Sequence, residues 1–425
     1  VKTELARLAL EALATSQFKP FGDKLATQVL PDSFGILGNA DLVERIAQQI
    51  GHSDITKWIT RPLTWNAELY DPHVTLSAAD NVVHLLWQDL SARLARKLDA
   101  VAHRTSLTSR GAVLCFFGRA QFNIIVEYTR SGGGAIRLRP LAALLDPNGV
   151  LEVTNLLDGA TAEVRNAIKN VAFSVDKLVY QRGCIIHVHR QREDVFGPTI
   201  DTVILGELLA ELLDDLDFER KLSALEVGPG SGLLSTILAT SEHVVDLTAV
   251  DLNGSAVACT LKNLQINDAT LDARHQLVRV RAERFDAKQF VAPFDLIVCN
   301  PPYIPGEPSS SSPSMKEYGR AVGGLDLCIE ILRSLPNLLT PDGVLLLMAS
   351  SLSDGEVVSC IPSEFEAVKA LGSGSRRVPL DVDIVWHNPA WRAQLLSEQR
   401  IEEDTSGVLW HYLRPLWIRR REVGK

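Results

Sequence analysis

The residues with the most legible chemistry are Asn300-Pro301-Pro302-Tyr303, which follow an apolar run from Leu296 to Cys299. Such a run reads as a strand buried on both faces, and two consecutive prolines make the turn after it rigid. A carboxamide at the carboxyl end of a parallel strand stands on the rim where open α/β sheets bind ligands, so Asn300 is placed to meet a substrate. Pro301 and Pro302 add carbonyls and no donors, and Tyr303 adds a flat ring. The stretch is rich in acceptors, and its complement is a planar group bearing N–H. Taken alone, an Asn before two prolines is also an ordinary loop sequence, and Tyr303 is an ordinary packing residue.

A second constellation lies upstream. Glu226-Val227-Gly228-Pro229-Gly230-Ser231-Gly232 follows a predicted strand and opens a predicted helix. Glycines there let the backbone turn tightly and approach a ligand, a spacing that also serves dinucleotides. Glu226 either binds that ligand or braces the turn. At the end of the next strand, Asp251 is placed to accept from a ribose diol, and Leu252-Asn253 leads into a helix. Arg281-Ala282-Glu283-Arg284-Phe285 closes a third strand, where a carboxylate suits an adenine amino group and Phe285 suits the face of its ring.

In order and spacing, these residues resemble the class I S-adenosylmethionine-dependent methyltransferases. The succession of the glycine loop, Asp251-Leu252-Asn253 and Asn300-Pro301-Pro302-Tyr303 is similar to the amino-group methyltransferases, and especially to the HemK/PrmC protein-glutamine branch. Pro198-Thr199-Ile200-Asp201-Thr202 is similar to the segment that closes over the cofactor in that branch. Phe294 to Val298 and the Gly-rich Ala321 to Asp326 point the same way. The resemblance covers about residues 195 to 350. It implies S-adenosylmethionine as cofactor and catalytic roles for Asn300, Pro301 and Tyr303. It also implies cofactor contacts from Glu226, Gly228, Gly230, Gly232, Asp251, Asn253, Glu283, Arg284, Asp201 and Thr202, and a substrate contact from Pro302. Asp201 and Thr202 are also residues that favour helix caps. Glu307 and Glu317 flank a Ser/Pro-rich loop, Ser309 to Ser314; they are candidates to meet a cationic substrate, although loop carboxylates are usually only solvated.

The elements that must hold these groups alternate from Val195 onward as strand and helix, the sign of a parallel sheet covered on both faces. Strands are expected at 223–227, 244–250, 277–281, 296–299, 343–348, 382–386 and 409–418, with helices at 205–213, 233–239, 255–266, 328–335 and 356–361. Thr340-Pro341-Asp342-Gly343 reads as a turn. The fold class is α/β: a Rossmann-like, seven-stranded domain over 195–425, preceded by a helical region (1–108) and a β-rich region (109–194). Helical patterns run over 1–16, 41–50, 77–102 and 162–171. A meander is expected from 111 to 138 and a strand over 184–189, where His187 and His189 share a half-exposed face. A helix-turn-helix in the first region is a minor alternative.

Two features depart from the glutamine-methylating branch. About 190 residues precede the domain, where that branch has a small helical leader, and His387 to Gly407 stands as an insertion near the end. Trp386, Trp391 and Trp410, in and around it, read as packing residues rather than a substrate clamp. Arg419-Arg420-Arg421 reads as solvated.

Of the 425 residues, 46% are hydrophobic and 22% charged, the balance of an ordinary globular chain. A net charge of -9 argues against a wide grip on a phosphate backbone. The six cysteines lack C-x-x-C spacing and read as reduced, with neither zinc nor disulfides. No apolar run reaches the roughly 18 residues of a membrane span, and no signal pattern opens the chain, so a cytoplasmic protein is expected. The expected activity is methyl transfer to a planar nitrogen (amide, guanidine or amine) of a glutamine- or arginine-like substrate, in a protein or as a free metabolite. The alternatives are a nucleic-acid base methyltransferase acting on adenine or guanine, and a non-catalytic cofactor-binding regulator.

Overall fold

The computed structural model describes residues 78–117, 122–131, 134–145, 175–189, 195–216, 220–269, 277–303, 325–368, 375–380, 389–405, 407 and 409–421. The chain divides into two units, Val1–Asp194 and Val195–Lys425. The helices expected over 1–16, 41–50 and 162–171, the strand over 382–386, Trp386, Glu307, Glu317 and the Ser/Pro-rich loop lie outside the described residues.

In the first unit, helix α1 (Ala78–Arg104) buries Leu90, Leu94, Leu98 and Val101 completely, the i, i+4 and i, i+3 spacing of one helical face. Strands β1 (Arg110–Phe117), β2 (Phe122–Arg130) and β3 (Ile136–Leu145) form the expected antiparallel meander. β4 (Asp176–Gln181) joins β1 in parallel, and β5 (Cys184–His189) completes a five-stranded sheet. Arg182 and Gly183 link β4 to β5 with φ of 50° and 79°, the left-handed pair that matches strand twist in a two-residue hairpin. His187 is not on a half-exposed face. It is 2% exposed, with Nε2 2.7 Å from Oδ1 of buried Asp176, because a buried imidazole needs a polar partner. Among the described residues, no group of three or more His, Cys, Asp or Glu is placed to hold a metal ion.

The second unit is built on β6 (Leu222–Val227), β7 (Val244–Asp251), β8 (Leu277–Ala282), β9 (Phe294–Cys299), β10 (Leu339–Ser350), β11 (Phe365–Val368) and β14 (Leu409–Arg420). They lie in the order β11-β14-β10-β9-β6-β7-β8, with β12 (Arg376–Pro379) and β13 (Glu402–Glu403) paired to β14. From β8 to β10 the strands are parallel, and β14 runs antiparallel to β10. The chain leaves β6 in one direction, to β7 and β8, and later builds outward from β9 on the other side. The switch point between β6 and β9 is where such sheets open a crevice.

Apolar runs dictate the core. Leu296, Ile297, Val298 and Cys299 are at most 1% exposed, as a central strand with both faces covered requires. Helix α2 (Ile200–Asp214) is apolar nearly all round and buried along most of its length. Helices α3 (Leu233–Thr240) and α4 (Gly254–Ile266) follow β6 and β7. Helix α5 (Asp326–Leu338) buries one stripe: Cys328, Ile331, Leu332, Leu335 and Leu338. Two expectations need correction. Thr340 to Gly343 is not a separate turn but an irregularity within β10, where the register to β9 shifts between Leu339 and Val344. The terminal arginines are not simply solvated. Arg419 pairs with Glu366 at 3.2 Å, Arg420 lies 4.8 Å over the Phe365 ring, and Arg421 Nε donates to the Phe365 carbonyl. All three are drawn in by the β11–β14 pairing, which sequence periodicity does not reveal.

Candidate active site

Sheet register brings the two constellations together. Val227 of β6 pairs with Val250 of β7 on one side and Cys299 of β9 on the other. The next residues, Gly228, Asp251 and Asn300, therefore leave the sheet side by side, about 5 Å from strand to strand. β10 and β14 extend the same rim beyond Asn300, through Leu347 opposite Cys299 and Ser350 opposite Leu413.

In the glycine loop, Gly228, Gly230 and Gly232 have φ of 76°, 52° and 83°, the left-handed region that favours glycine. A Cβ at Gly232 would lie 2.8 Å from the Thr260 Cα, and one at Gly230 would lie 2.9 Å from the Phe196 carbonyl oxygen. These two glycines admit protein. A Cβ at Gly228 would meet nothing within 4 Å, so this glycine faces open space. α4 fixes the loop through Asn263, whose side chain donates to the Ser231 carbonyl at 2.8 Å.

Asp251 accepts from the Gly230 amide at 3.1 Å and the Asn253 amide at 2.8 Å. Burial raises its pKa, and those two amides oppose the rise. Asn253 caps α4 by accepting from Ser255 N. Glu226 is 1% exposed. It accepts from the Ser235 hydroxyl, and its Oε1 is buried without a partner. Burial pushes its pKa up to about 8, the Ser235 hydrogen bond works against that, and the Asp251 charge adds to it. The Glu283 amide donates to the Asp251 carbonyl at 2.9 Å, while its carboxylate reaches Arg281 at 3.4 Å. Arg284 is exposed. Phe285 does not offer its ring to a ligand: it is 5% exposed and packed in the core, 6.1 Å from the Phe290 ring. Leu252 does stand out, 77% exposed on the rim next to Asp251.

On the other half of the rim, Asp201 and Thr202 reach the Asn300 turn. The cap position of α2 falls to Thr199. Asp201 and Thr202 are 3% and 8% exposed. The Thr202 hydroxyl accepts from Asn300 Nδ2 at 3.0 Å and lies 3.5 Å from Asp201 Oδ1. With the amide nitrogen so engaged, Asn300 Oδ1 is left buried and without a partner. Tyr303 donates from its hydroxyl to Asp201 Oδ2 at 2.9 Å, and its carbonyl accepts from Ser353 at 2.8 Å. Pro301 is buried and Pro302 half-buried.

The insertion turns out to be a structural wall. Helix α7 (Pro389–Ser397) packs Trp391 and Leu395 with Leu352, Leu380, Ile401 and Leu409, and Tyr303 lies against this cluster. Arg400 ties the segment to the rim, donating to the Leu352 carbonyl and to Glu356, both at 2.6 Å. Glu356 belongs to helix α6 (Asp354–Ser359). Trp410 is also a packing residue, donating to Asp404 at 2.8 Å beneath the Arg377 guanidinium.

Sequence reasoning did not find Ser350, Ser353 or His411. They sit in or beside strands whose pattern carries only a β signal. His411 of β14 is 5% exposed, its ring centroid is 6.0 Å from that of Tyr303, and its Nδ1 is 2.7 Å from the Ser350 hydroxyl.

The strand order and glycine loop define a class I methyltransferase domain, and the family match and the sequence relatives agree. Residues 204–378 match the model of the methyltransferase small domain. A tRNA1(Val) (adenine(37)-N6)-methyltransferase of Shewanella sediminis is 32% identical over 42% of this chain and 71% of its own length. A ribosomal protein uL3 glutamine methyltransferase of Bordetella pertussis is 31% identical over 39% of this chain and 55% of its own length. Among solved structures, a SAM-dependent methyltransferase of Agrobacterium tumefaciens aligns over 74% of this chain and 91% of that one, at 14% identity and a TM-score of 0.39. The chain belongs to the methyltransferase small domain family: it is an S-adenosylmethionine-dependent N-methyltransferase. The orphaned Glu226 Oε1 and the open space before Gly228 fit that cofactor. No helix among the described residues is long and apolar enough to cross a membrane.

Proposed function

We propose that this enzyme methylates the side-chain carboxamide nitrogen of a glutamine within a protein substrate. The observation that carries this reading is Asn300 Oδ1, a buried acceptor with no partner, aligned by the Thr202 hydroxyl at its own amide nitrogen. An acceptor left unsatisfied in a buried place costs on the order of 1–3 kcal/mol, which an N–H of the substrate would recover.

Asn300 Oδ1 and the Pro301 carbonyl would accept the two N–H groups of the carboxamide and turn its nitrogen lone pair toward the donor methyl. S-adenosylmethionine, when bound, supplies a methyl group already activated by positive sulfur. What remains for the protein is orientation and charge: it holds a delocalised, weakly nucleophilic nitrogen in line and stabilises the positive charge that grows there. Tyr303, fixed by Asp201 and Ser353, would press its ring on the planar group beside Pro302. Asp201 and Thr202 act in this reading on the Asn300 turn rather than on the cofactor. Gly228, Gly230 and Gly232 would cradle the cofactor, with Glu226 Oε1 and Asp251 accepting from its N–H and O–H groups. Leu252 would pack on its adenine, Glu283 would accept from the adenine amino group, and Asn253 and Arg284 would line its edge.

A ribosomal protein uL3 glutamine methyltransferase and a putative protein N5-glutamine methyltransferase of Methanocaldococcus jannaschii, both among the relatives, support the carboxamide. The net charge of -9 supports a protein over a nucleic-acid partner, and six free cysteines accord with a cytoplasmic setting. A second reading, the exocyclic amine of adenine in RNA, is favoured by the tRNA relative that matches over 71% of its length. Transfer of tritiated methyl from labelled cofactor to separated protein and RNA fractions tests the choice. Label is expected in protein, on glutamine; label confined to RNA would overturn the carboxamide.

A further inference from the structure

β9, β10 and β14 form the part of the rim beyond Asn300, away from the glycine loop, and His411 is the imidazole that this part contributes. Its partners fix its protonation. The Ser350 hydroxyl accepts from the Leu352 amide at 3.2 Å and lies 2.7 Å from His411 Nδ1. Ser350 has one proton to give, and Nδ1 is the acceptor that the described residues offer it. Nδ1 is then the acceptor of that pair, and Nε2 carries the hydrogen. Burial lowers the imidazole pKa to about 4, while the Asp201 charge acts in the opposite direction, so the ring is neutral at physiological pH. Among the described residues, Nε2 has no hydrogen-bond partner. The residue as a whole is 5% exposed, and Nε2 is not one of the buried polar atoms left without a partner, so its N–H keeps an opening through which a ligand can reach it. The ring stands beside Tyr303, the residue placed to lie against the acceptor group.

We propose that His411 is a specificity-determining residue whose Nε2–H donates to the carbonyl oxygen of the substrate carboxamide. This inference rests on the carboxamide reading above and sharpens it. Asn300 Oδ1 and the Pro301 carbonyl take the two N–H groups of the amide, and His411 takes its oxygen, so donors and acceptors are matched on both edges of one planar group. A guanidinium has the same plane and offers N–H to the first two acceptors, but it carries only N–H where the carboxamide has oxygen. Two donors then face one another, and a neutral imidazole pinned by Ser350 cannot reverse its role. The site thereby selects a glutamine side chain over an arginine side chain. Rejection of this kind is strong because it leaves buried polar groups unpaired.

The test uses the full chain saturated with S-adenosylmethionine and two peptides that differ only in carrying a single glutamine or a single arginine. Methyl transfer and peptide affinity are measured for the wild type, His411→Leu and His411→Gln, with cofactor affinity as the control for folding. The wild type is expected to methylate the glutamine peptide and to leave the arginine peptide unmodified. His411→Leu should raise KM for the glutamine peptide about tenfold or more with cofactor affinity unchanged, and should narrow the gap to the arginine peptide. His411→Gln, which keeps an N–H donor of similar reach, should recover part of the loss. Long-range ¹H–¹⁵N spectra of the wild type should show His411 as the Nε2–H tautomer. An unchanged KM in His411→Leu, or an Nδ1–H tautomer, overturns the inference while leaving the carboxamide reading standing. Wild-type transfer to arginine but not to glutamine overturns both.

Discussion

The hydroxyl of Tyr303 donates to the buried carboxylate of Asp201 across 2.9 Å, joining residues 102 positions apart. Thr202, the next residue, receives the Asn300 side chain. The first turn of α2 thus holds both ends of Asn300-Pro301-Pro302-Tyr303. Removing the Tyr303 hydroxyl leaves a buried Asp201 oxygen short of a donor, a loss of about 1–3 kcal/mol. Tyr303→Phe is expected to lower kcat about tenfold or more while cofactor affinity stays within a few-fold. In a double-mutant cycle with Asp201→Asn, measured by kcat/KM, the two losses should be clearly less than additive, because the residues act through one hydrogen bond. Full additivity would show that the Tyr303–Asp201 contact does not hold the turn.

The three loop glycines should fail in different ways. Gly232→Ala forces a methyl to 2.8 Å from the Thr260 backbone at a φ of 83°, so thermal unfolding of the ligand-free enzyme should shift down by several degrees. Gly228→Ala meets nothing within 4 Å and bears only the left-handed strain, about 1 kcal/mol. Its main effect should be weaker cofactor binding, because the methyl enters the space proposed for the cofactor. Calorimetric titration with S-adenosylmethionine checks this, and affinity equal to wild type in Gly228→Ala would place the cofactor elsewhere.

Much of this site is legible in the sequence because it depends on neighbours in the chain. The glycine loop, Asp251 and the Asn300 turn each close a strand, and a parallel sheet puts such ends on one rim, so their order suffices to find them. The contacts across the rim are another matter. Asp201 is equally a helix-cap residue by composition, and only the packing of α2 brings its carboxylate to Tyr303. Phe285 reads as a ring for adenine, yet it turns into the core because Phe290 and Phe294 offer it an apolar place. His411 is the buried polar residue of a strand whose arginines, Arg414, Arg419 and Arg420, keep some exposure, and the antiparallel return of β14 against β10 carries it to the candidate site. Local periodicity predicts strand ends; it does not predict which side chains meet from strands more than a hundred residues apart.

Glu226 sets a pH dependence for the ligand-free protein. Its folded-state pKa, pushed up to about 8 from an ordinary 4.5, means that the folded state binds more protons than the unfolded one between those values. Stability therefore falls as pH rises from about 4.5 to about 8, by an amount on the order of 5 kcal/mol for this one group. Glu226→Gln removes the titration and should flatten that slope. Urea unfolding of both proteins between pH 5 and pH 8.5, without cofactor, is the measurement. Parallel stability curves would show that Glu226 ionises freely despite its burial.

The central claim is that Asn300 serves the acceptor nitrogen and not the cofactor. It is tested most directly by Asn300→Ala, with single-turnover methyl transfer and S-adenosylmethionine affinity measured on the same preparation. Loss of an acceptor that stabilises developing charge costs about 10²–10³ in rate, and the account predicts such a fall with cofactor affinity within a few-fold of wild type. Equal losses in rate and cofactor affinity, or a rate near that of wild type, would contradict it.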